Sequence, residues 1–221
     1  MENYTRMKFS GELHEVRLIN FSVDKEELKN HLPQGLKLLD YKGRALISMV
    51  DVKLKNMKAA SFLPSFSYRH IGFRLLVDDQ YINTISPKGI YFMKSFTDKP
   101  LMILAGNIVA DFKLSSSKIS GDGNHVKIQQ GDKFIEYSVS DENCTTPDSS
   151  LYEVVKRIDR AYAFKNKGAV VTKITRDEWP IEQVEVLDFK TNFFKSAKVE
   201  GAFKIHKVID YVWEKPFKVK I

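Results

Sequence analysis

His70 and Arg74 stand four residues apart in the run Tyr68-Arg-His-Ile-Gly-Phe-Arg-Leu-Leu-Val. Side chains of a strand alternate between its faces, so Ile71, Phe73, Leu75 and Val77 share one face and leave His70 and Arg74 on the other, with Gly72 between them. A guanidinium is a planar fork that holds a carboxylate bidentately, and an imidazole titrates near neutral pH. The pattern allows two placements for Arg74: on the wall of a cavity, clamping a ligand carboxylate, or on an outer face in water. Tyr91, whose phenol can orient a carbonyl, carries the same choice, and Phe92 points the opposite way. The 5 histidines, His14, His31, His70, His125 and His206, are scattered and lack the spacing of a metal-binding helix. The chain also has no Gly-x-Ser-x-Gly elbow, no phosphate-binding glycine loop ahead of a helix and no dinucleotide fingerprint. No catalytic set, metal or cofactor is expected from these residues.

Strands must position them, and the stretch from Gly89 to Ile119 organises the rest. An extended run, Gly89 to Lys94, leads into Asp98-Lys-Pro-Leu-Met-Ile-Leu-Ala-Gly-Asn-Ile, which is apolar on nearly every side and predicts a buried helix. A second extended run, Val109 to Ile119, leaves it. A helix without a polar face has to be enclosed, and strands on both sides predict a curved, mostly antiparallel sheet as its container. Before it come a strand over Glu12 to Phe21, a short helix opened by a capping box of Asp24 and Glu27, and a hairpin of Leu36 to Tyr41 with Arg44 to Lys55 about Lys42-Gly43. In the second arm Val50, Val52 and Leu54 oppose Asp51, Lys53 and Lys55, so one face is expected to be wet. The apolar loop Asn56 to Ser67 has no period and is placed to fold over the mouth of a barrel. After the organising stretch, Gly121-Asp-Gly and Gly131-Asp132 punctuate a β-meander ending with Lys133 to Ser140. Ser149 or Ser150 is the expected cap of a helix with Leu151, Val154, Val155 and Ile158 in one stripe. Strands at Ala169 to Thr175, Gln183 to Phe189 and Gly201 to Trp213 follow, with a short run from Phe217.

With 221 residues, 43% hydrophobic and 29% charged, the chain is expected to fold as one globular domain, 1–221. The formal charge of +7, from 35 Lys+Arg against 28 Asp+Glu, is dispersed: its densest region, Lys190 to Lys220, interleaves Glu200, Asp210 and Glu214. That describes a solvated lysine-rich surface rather than a nucleic-acid face. A lone Cys144 excludes an internal disulfide and suits a reducing compartment, and Met-Glu-Asn-Tyr-Thr-Arg-Met-Lys has no apolar core for a signal peptide. No segment is apolar for long enough to span a bilayer as a helix. A cytoplasmic protein is expected, with a small molecule as partner and self-association left open.

Leu32-Pro-Gln-Gly-Leu, Gly43-Arg-Ala-Leu-Ile-Ser, Arg74 in a strand, Gly89-Ile-Tyr-Phe, Arg160-Ala-Tyr and Glu178-Trp-Pro-Ile-Glu-Gln-Val-Glu-Val follow in an order that resembles the uncharacterised bacterial YqjF-like family, within the acetoacetate decarboxylase-like superfamily. The resemblance covers nearly the whole chain. It implies an α+β, predominantly β fold: a cone-shaped, largely antiparallel β-barrel with a few short covering helices and an internal small-molecule cavity. In the decarboxylase branch a lysine on the strand after the buried helix forms a Schiff base with a keto acid, which needs a desolvated amine. Laying that branch's Gly-Phe-Pro-Lys-Lys pattern over Asp111-Phe-Lys-Leu-Ser puts Leu114 at the reactive position, and a leucine cannot do this chemistry. Lys113 is one residue away and so points to the opposite face, beside Asp111 as a charged pair. Lys118 shares the face of Leu114 if the strand stays regular through Ser115-Ser-Ser. Asn20 stands where the family often has histidine, and Lys113 where it often has proline. The resulting expectation is a binding module with Arg74, Tyr91, Lys118, His70 and Lys113 as ligand-binding candidates. An enzyme acting on a small keto acid or carboxylate is the alternative, and a basic nucleic-acid-binding domain the third reading.

Overall fold

Branched and aromatic side chains recur through Phe9–Val23, which forms the 15-residue strand β1 in the computed structural model. Residues 8–59, 64–79, 89–103, 114–121, 123–165, 168–177 and 179–219 are the ones described below. One edge of β1 runs antiparallel to β3 (Arg44–Lys58), from Ser10 opposite Lys58 to Val23 opposite Ala45. The other edge is shared: Phe9 to Leu13 pair with β14 (Ile209–Trp213), and Val16 to Ser22 with β13 (Lys198–Ile205). The one strand expected over 201–213 is therefore two. The change of partner coincides with Glu15, at φ 50°, where β1 bulges and its register against β3 shifts.

From β3 the sheet continues antiparallel through β4 (Phe66–Val77) and β5 (Gly89–Thr97). Next comes β10 (Arg160–Lys165), parallel to β5 from Arg160 opposite Gly89 to Tyr162 opposite Tyr91. It pairs antiparallel with β11 (Gly168–Arg176), which meets β14 from Ile174 opposite Trp213 to Arg176 opposite Tyr211. Hydrogen-bonded neighbours thus pass round a ring of seven strands, β1, β3, β4, β5, β10, β11 and β14, long-laddered on the β1–β3–β4 side and only briefly joined at β5–β10 and β11–β14. Outside it, β12 (Glu182–Thr191), β9 (Lys133–Asn143), β8 (His125–Gln130) and β7 (Lys118–Ser120) extend the sheet from β13, the last three as the expected meander. The short β2 (Asp40–Tyr41), β6 (Leu114–Ser116) and β15 (Phe217–Val219) attach to β3, β5 and β11. One 15-stranded sheet results among the described residues, 63% of which are in strands and 10% in helix.

Both faces of β1, β3 and β4 are covered, so their alternation sorts side chains into two cores. One contains Leu18, Val50, Val52 and Leu54; the other contains Ile19, Ile47, Met49, Ile71 and Phe73 together with Val126, Ile135 and Tyr137 of the outer strands. The face of β3 expected to be wet is consequently buried at Asp51, which is 1% exposed, and reaches water only at Lys53 and Lys55.

The hairpin forms as expected, Lys42 at φ 53° and Gly43 at φ 80° making the tight turn between β2 and β3. Only Asp40 and Tyr41 of the expected Leu36 to Tyr41 arm form strand, Leu38 adding an isolated bridge to Val77. Asp24 and Glu27 do not form a capping box. The helix Lys25–Leu28 starts at Asp24 with no side-chain cap, because Asp24 pairs with Arg44 and Glu27 accepts from Lys195 N, Ser196 N and Ser196 Oγ instead. The helix Ser149–Lys156 is capped by Asp148, which accepts from the backbone of Ser150 and Leu151, and not by either serine. It seats Leu151 and Val155 on the sheet at Gly201, where an added Cβ would stand 2.9 Å from Leu151 Cδ2. The apolar helix is described over 100–103 only, and the rest of it lies outside the described residues. Met102 is buried there, but Leu101 is 76% exposed, so the helix is not enclosed on every side. No helix among the described residues is long and apolar enough to cross a membrane.

Candidate functional site

Inside the strand ring lies a cavity of about 340 Å³, walled by residues of β1, β3, β4, β5, β11 and β14. β4 supplies Phe66, Tyr68, His70 and Arg74, the even-numbered face, because its odd-numbered apolar face is taken by the second core. Gly72 on the same face leaves room, since a Cβ there would sit 2.8 Å from Phe92 Cε1. Rings run along this wall with centroids 6.0 to 6.2 Å apart: Phe66 to Tyr68, Tyr68 to His70, and His70 to Phe92, with Trp213 beyond Phe92. Val50, Val52 and Leu54 of β3 and Leu13 and Val16 of β1 complete an apolar lining. Tyr211 also faces in, but its hydroxyl contacts Met57 Sδ at 3.0 Å.

Arg74 is 6% exposed, and its Nε and Nη2 donate to the carbonyl and hydroxyl of Ser48 at 2.9 and 2.8 Å. Both acceptors are neutral. Ser48 lies opposite Arg74 on β3, and Asn20 opposite Ser48 on β1; Asn20 Nδ2 donates to the Leu18 and Gly201 carbonyls, while its buried Oδ1 accepts from no described group. A second guanidinium, Arg176, projects from the end of β11. It donates to the Ile158 carbonyl at 2.6 Å and lies over the Trp179 ring at 4.4 Å, while its Nε is buried without a described acceptor. Burial, and then the field of Arg176, pushes Arg74 down to about 9; burial takes Arg176 down to about 10, with Asp159 opposing it. Both remain cationic at neutral pH. His70 is pushed down to about 4 by burial and then by Arg74, so it is neutral there. Among the described lining residues there is no aspartate, glutamate or lysine. The arrangement is two cations and a neutral imidazole in an apolar chamber with no carboxylate among its described lining residues. It can receive an anion.

Of the candidates read from sequence, the fold brings Arg74 and His70 together on this wall. Tyr91 is elsewhere: it packs in the second core against Phe164, with ring centroids 5.9 Å apart, and Phe92 takes the cavity side. Lys118 is exposed on β7. The chain breaks stride at Ser117, which is buried, so burial runs Leu114 in, Ser116 out, Ser117 in, Lys118 out, and Lys118 does not share the face of Leu114. Leu114 is 4% exposed and belongs to the cavity-side core. Lys113, with Asp111, lies outside the described residues. Sequence reasoning missed Arg176 and Tyr68. Tyr68 was open to discovery, since it shares the period-2 face of His70 and Arg74; the only sign of Arg176 was a cation three residues before Trp179 at a strand end. Among the described residues no three His, Cys, Asp or Glu are placed to hold a metal ion.

Comparison with known proteins gives a family and a fold. The model of the family DUF2071, described as an uncharacterized conserved protein (COG2071), matches residues 11–211. None of the curated proteins matches the chain. Among solved structures, the acetoacetate decarboxylase of Legionella pneumophila subsp. pneumophila superposes with a TM-score of 0.67 at 12% identity, covering 99% of this chain and 90% of its own. An acetoacetate decarboxylase-like enzyme from Sphingomonas wittichii RW1 gives 0.65 at 10% identity over 97% of this chain and 94% of its own. The enduracididine biosynthesis enzyme MppR, complexed with pyruvate, gives 0.59 at 13% identity over 99% and 91%. At such identities the likeness is one of fold.

Proposed function

We propose, from the premise that the chain belongs to the DUF2071 family of uncharacterized conserved proteins, that it is a small-molecule-binding protein whose cavity takes an organic carboxylate. In this reading the seven-strand ring is the cone-shaped, largely antiparallel β-barrel of the acetoacetate decarboxylase-like fold, and Arg74 is the clamp. One observation carries it: Arg74 is buried against a neutral serine in a chamber that offers no carboxylate among its described lining residues. An isolated buried charge costs several kcal/mol, and a bound anion offsets that cost. Two of the five guanidinium N–H groups are engaged by Ser48, which leaves donors for a carboxylate fork. Isothermal titration with small carboxylates is expected to show saturable binding that Arg74→Met removes. Binding unchanged in that variant would dismiss the clamp.

The Schiff-base chemistry of the decarboxylase branch is not part of this reading, which is supported by Leu114 at the reactive position and by the outward Lys118. A second reading, an enzyme acting on a small keto acid through a lysine amine, draws on MppR, which has been seen with pyruvate. Borohydride added with pyruvate or acetoacetate separates the two. No mass adduct is expected, and a stable adduct on a single lysine overturns the binding-only reading.

A further inference from the structure

We infer that the occupant of the cavity is an amphiphilic anion: an unbranched chain of about eight to ten carbons in all, its carboxylate head held between Arg74 and Arg176 and the rest an apolar tail. This rests on the carboxylate-binding reading above and adds the tail and the second arginine to it.

Size is the first argument. The six carbons of benzene fill a cavity of ~150 Å³, or ~25 Å³ per heavy atom. At that density a chamber of about 340 Å³ takes roughly a dozen heavy atoms. A four-carbon keto acid occupies about half of it and leaves the rest as void or trapped water.

The lining is the second argument. Water held in a protein needs two to four polar partners, and the far walls offer few. Away from Arg74, Leu13, Val52 and Leu54 present only carbon, as Ile90 and Phe92 do nearer to it, and the Tyr211 hydroxyl is engaged by Met57. A polar ligand body would forfeit hydrogen bonds against such walls, whereas each methylene placed there is removed from water. The head end is distinct. Arg74 and Arg176 both line the chamber, where Arg74 has only the neutral Ser48 as its hydrogen-bond partner and the field of Asp159 reaches Arg176. Stacked on Trp179, the Arg176 plane is held in one orientation with its Nε unclaimed by any described group, a fixed donor rather than a mobile surface cation. A head near both cations, beside Phe92, and a tail running along β4 toward His70 and Tyr68 places its methylenes on this carbon lining.

The experiment is a chain-length series of sodium alkanoates, from acetate to hexadecanoate, titrated calorimetrically into the full chain, with 1-octanol and 1-decanol as uncharged controls. Affinity is expected to rise about fourfold per methylene to octanoate or decanoate and then to level or fall. Arg74→Met and Arg176→Met should each weaken decanoate at least tenfold without changing the slope with chain length. Short carboxylates that bind as tightly as decanoate, and still need Arg74, would overturn the tail and leave the carboxylate clamp intact. Alcohols binding as well as alkanoates would overturn the clamp and the head assignment together. An Arg176→Met protein with wild-type decanoate affinity would remove Arg176 from the head site.

Discussion

Taking a guanidinium out of water without an ion-pair partner costs several kcal/mol even after the surroundings relax. Arg74 bears that cost: its affinity for its proton is depressed to about 9, which means the folded protein disfavours the cation it nonetheless holds at neutral pH. A structural arginine would have a carboxylate beside it, as Arg69 has Asp51. Removing Arg74 with its hydrogen-bond partner should therefore not weaken the empty protein. Arg74→Met/Ser48→Ala is expected to unfold at a Tm equal to or above wild type while losing stabilisation by decanoate. Replacing both partners of a buried polar contact by apolar groups is commonly neutral or stabilising. A Tm several degrees below wild type would make Arg74 a structural residue and remove the reason to look for an anion.

At the level of strands, β3 and β4 carry both cores, and Asp51 shows what that requires. Its carboxylate accepts from Arg69 Nε at 2.8 Å and Nη2 at 2.6 Å and from the Tyr137 hydroxyl, tying β3 and β4 to β9 across the second core. Deleting one member of such a cluster strands the other charge. Asp51→Ala is expected to lose about 3–5 kcal/mol, a fall in Tm on the order of 10 °C by calorimetry; a Tm unchanged from wild type would show the cluster to be dispensable. The same residue marks where the sequence could be read and where it could not. Alternation in β3 and β4 assigned each side chain to a face correctly, and the hairpin at Lys42-Gly43 was legible because a two-residue turn is decided locally. Which face meets water is decided by what packs behind the sheet. Alternation predicts a wet Asp51, which is buried, and allows Tyr91 a place on the cavity wall that its neighbour Phe92 has instead. Period 2 cannot distinguish a strand with one wet face from a strand between two cores. Lys118 failed for a related reason, since one buried serine, Ser117, resets the alternation. Glu27 is drawn from the helix start by Lys195 and Ser196, distant in sequence, which no local pattern reports, whereas the Asp148 cap is local, its carboxylate accepting from Ser150 and Leu151.

Across the molecule, one core is closed by aromatic packing and the other encloses a chamber with buried titratable groups on its wall, so pH should act on the whole fold through that wall. His70 is the sensitive member. It sits between the Tyr68 and Phe92 rings, faces Arg74, and is held at about 4 against 6.5 in an open chain, burial being the larger cause and Asp51 a smaller opposing one. Between those two values the unfolded chain binds a proton that the folded chain refuses. Stability therefore rises with pH through this window: it is complete above about 6.5, falls as the solution is acidified toward about 4, and then levels for this group. The lowered carboxylates, among them Asp148, Glu27 and Asp141, act in the same direction but only below the ordinary carboxylate range, and their exposure keeps each contribution small. Thermal unfolding followed from pH 7.5 to 4.5 should show Tm declining in the wild type and nearly flat in His70→Phe, whose ring preserves the stack. Parallel profiles for the two proteins would mean that the imidazole is already protonated in the fold, and that the chamber wall is wetter than its lining implies.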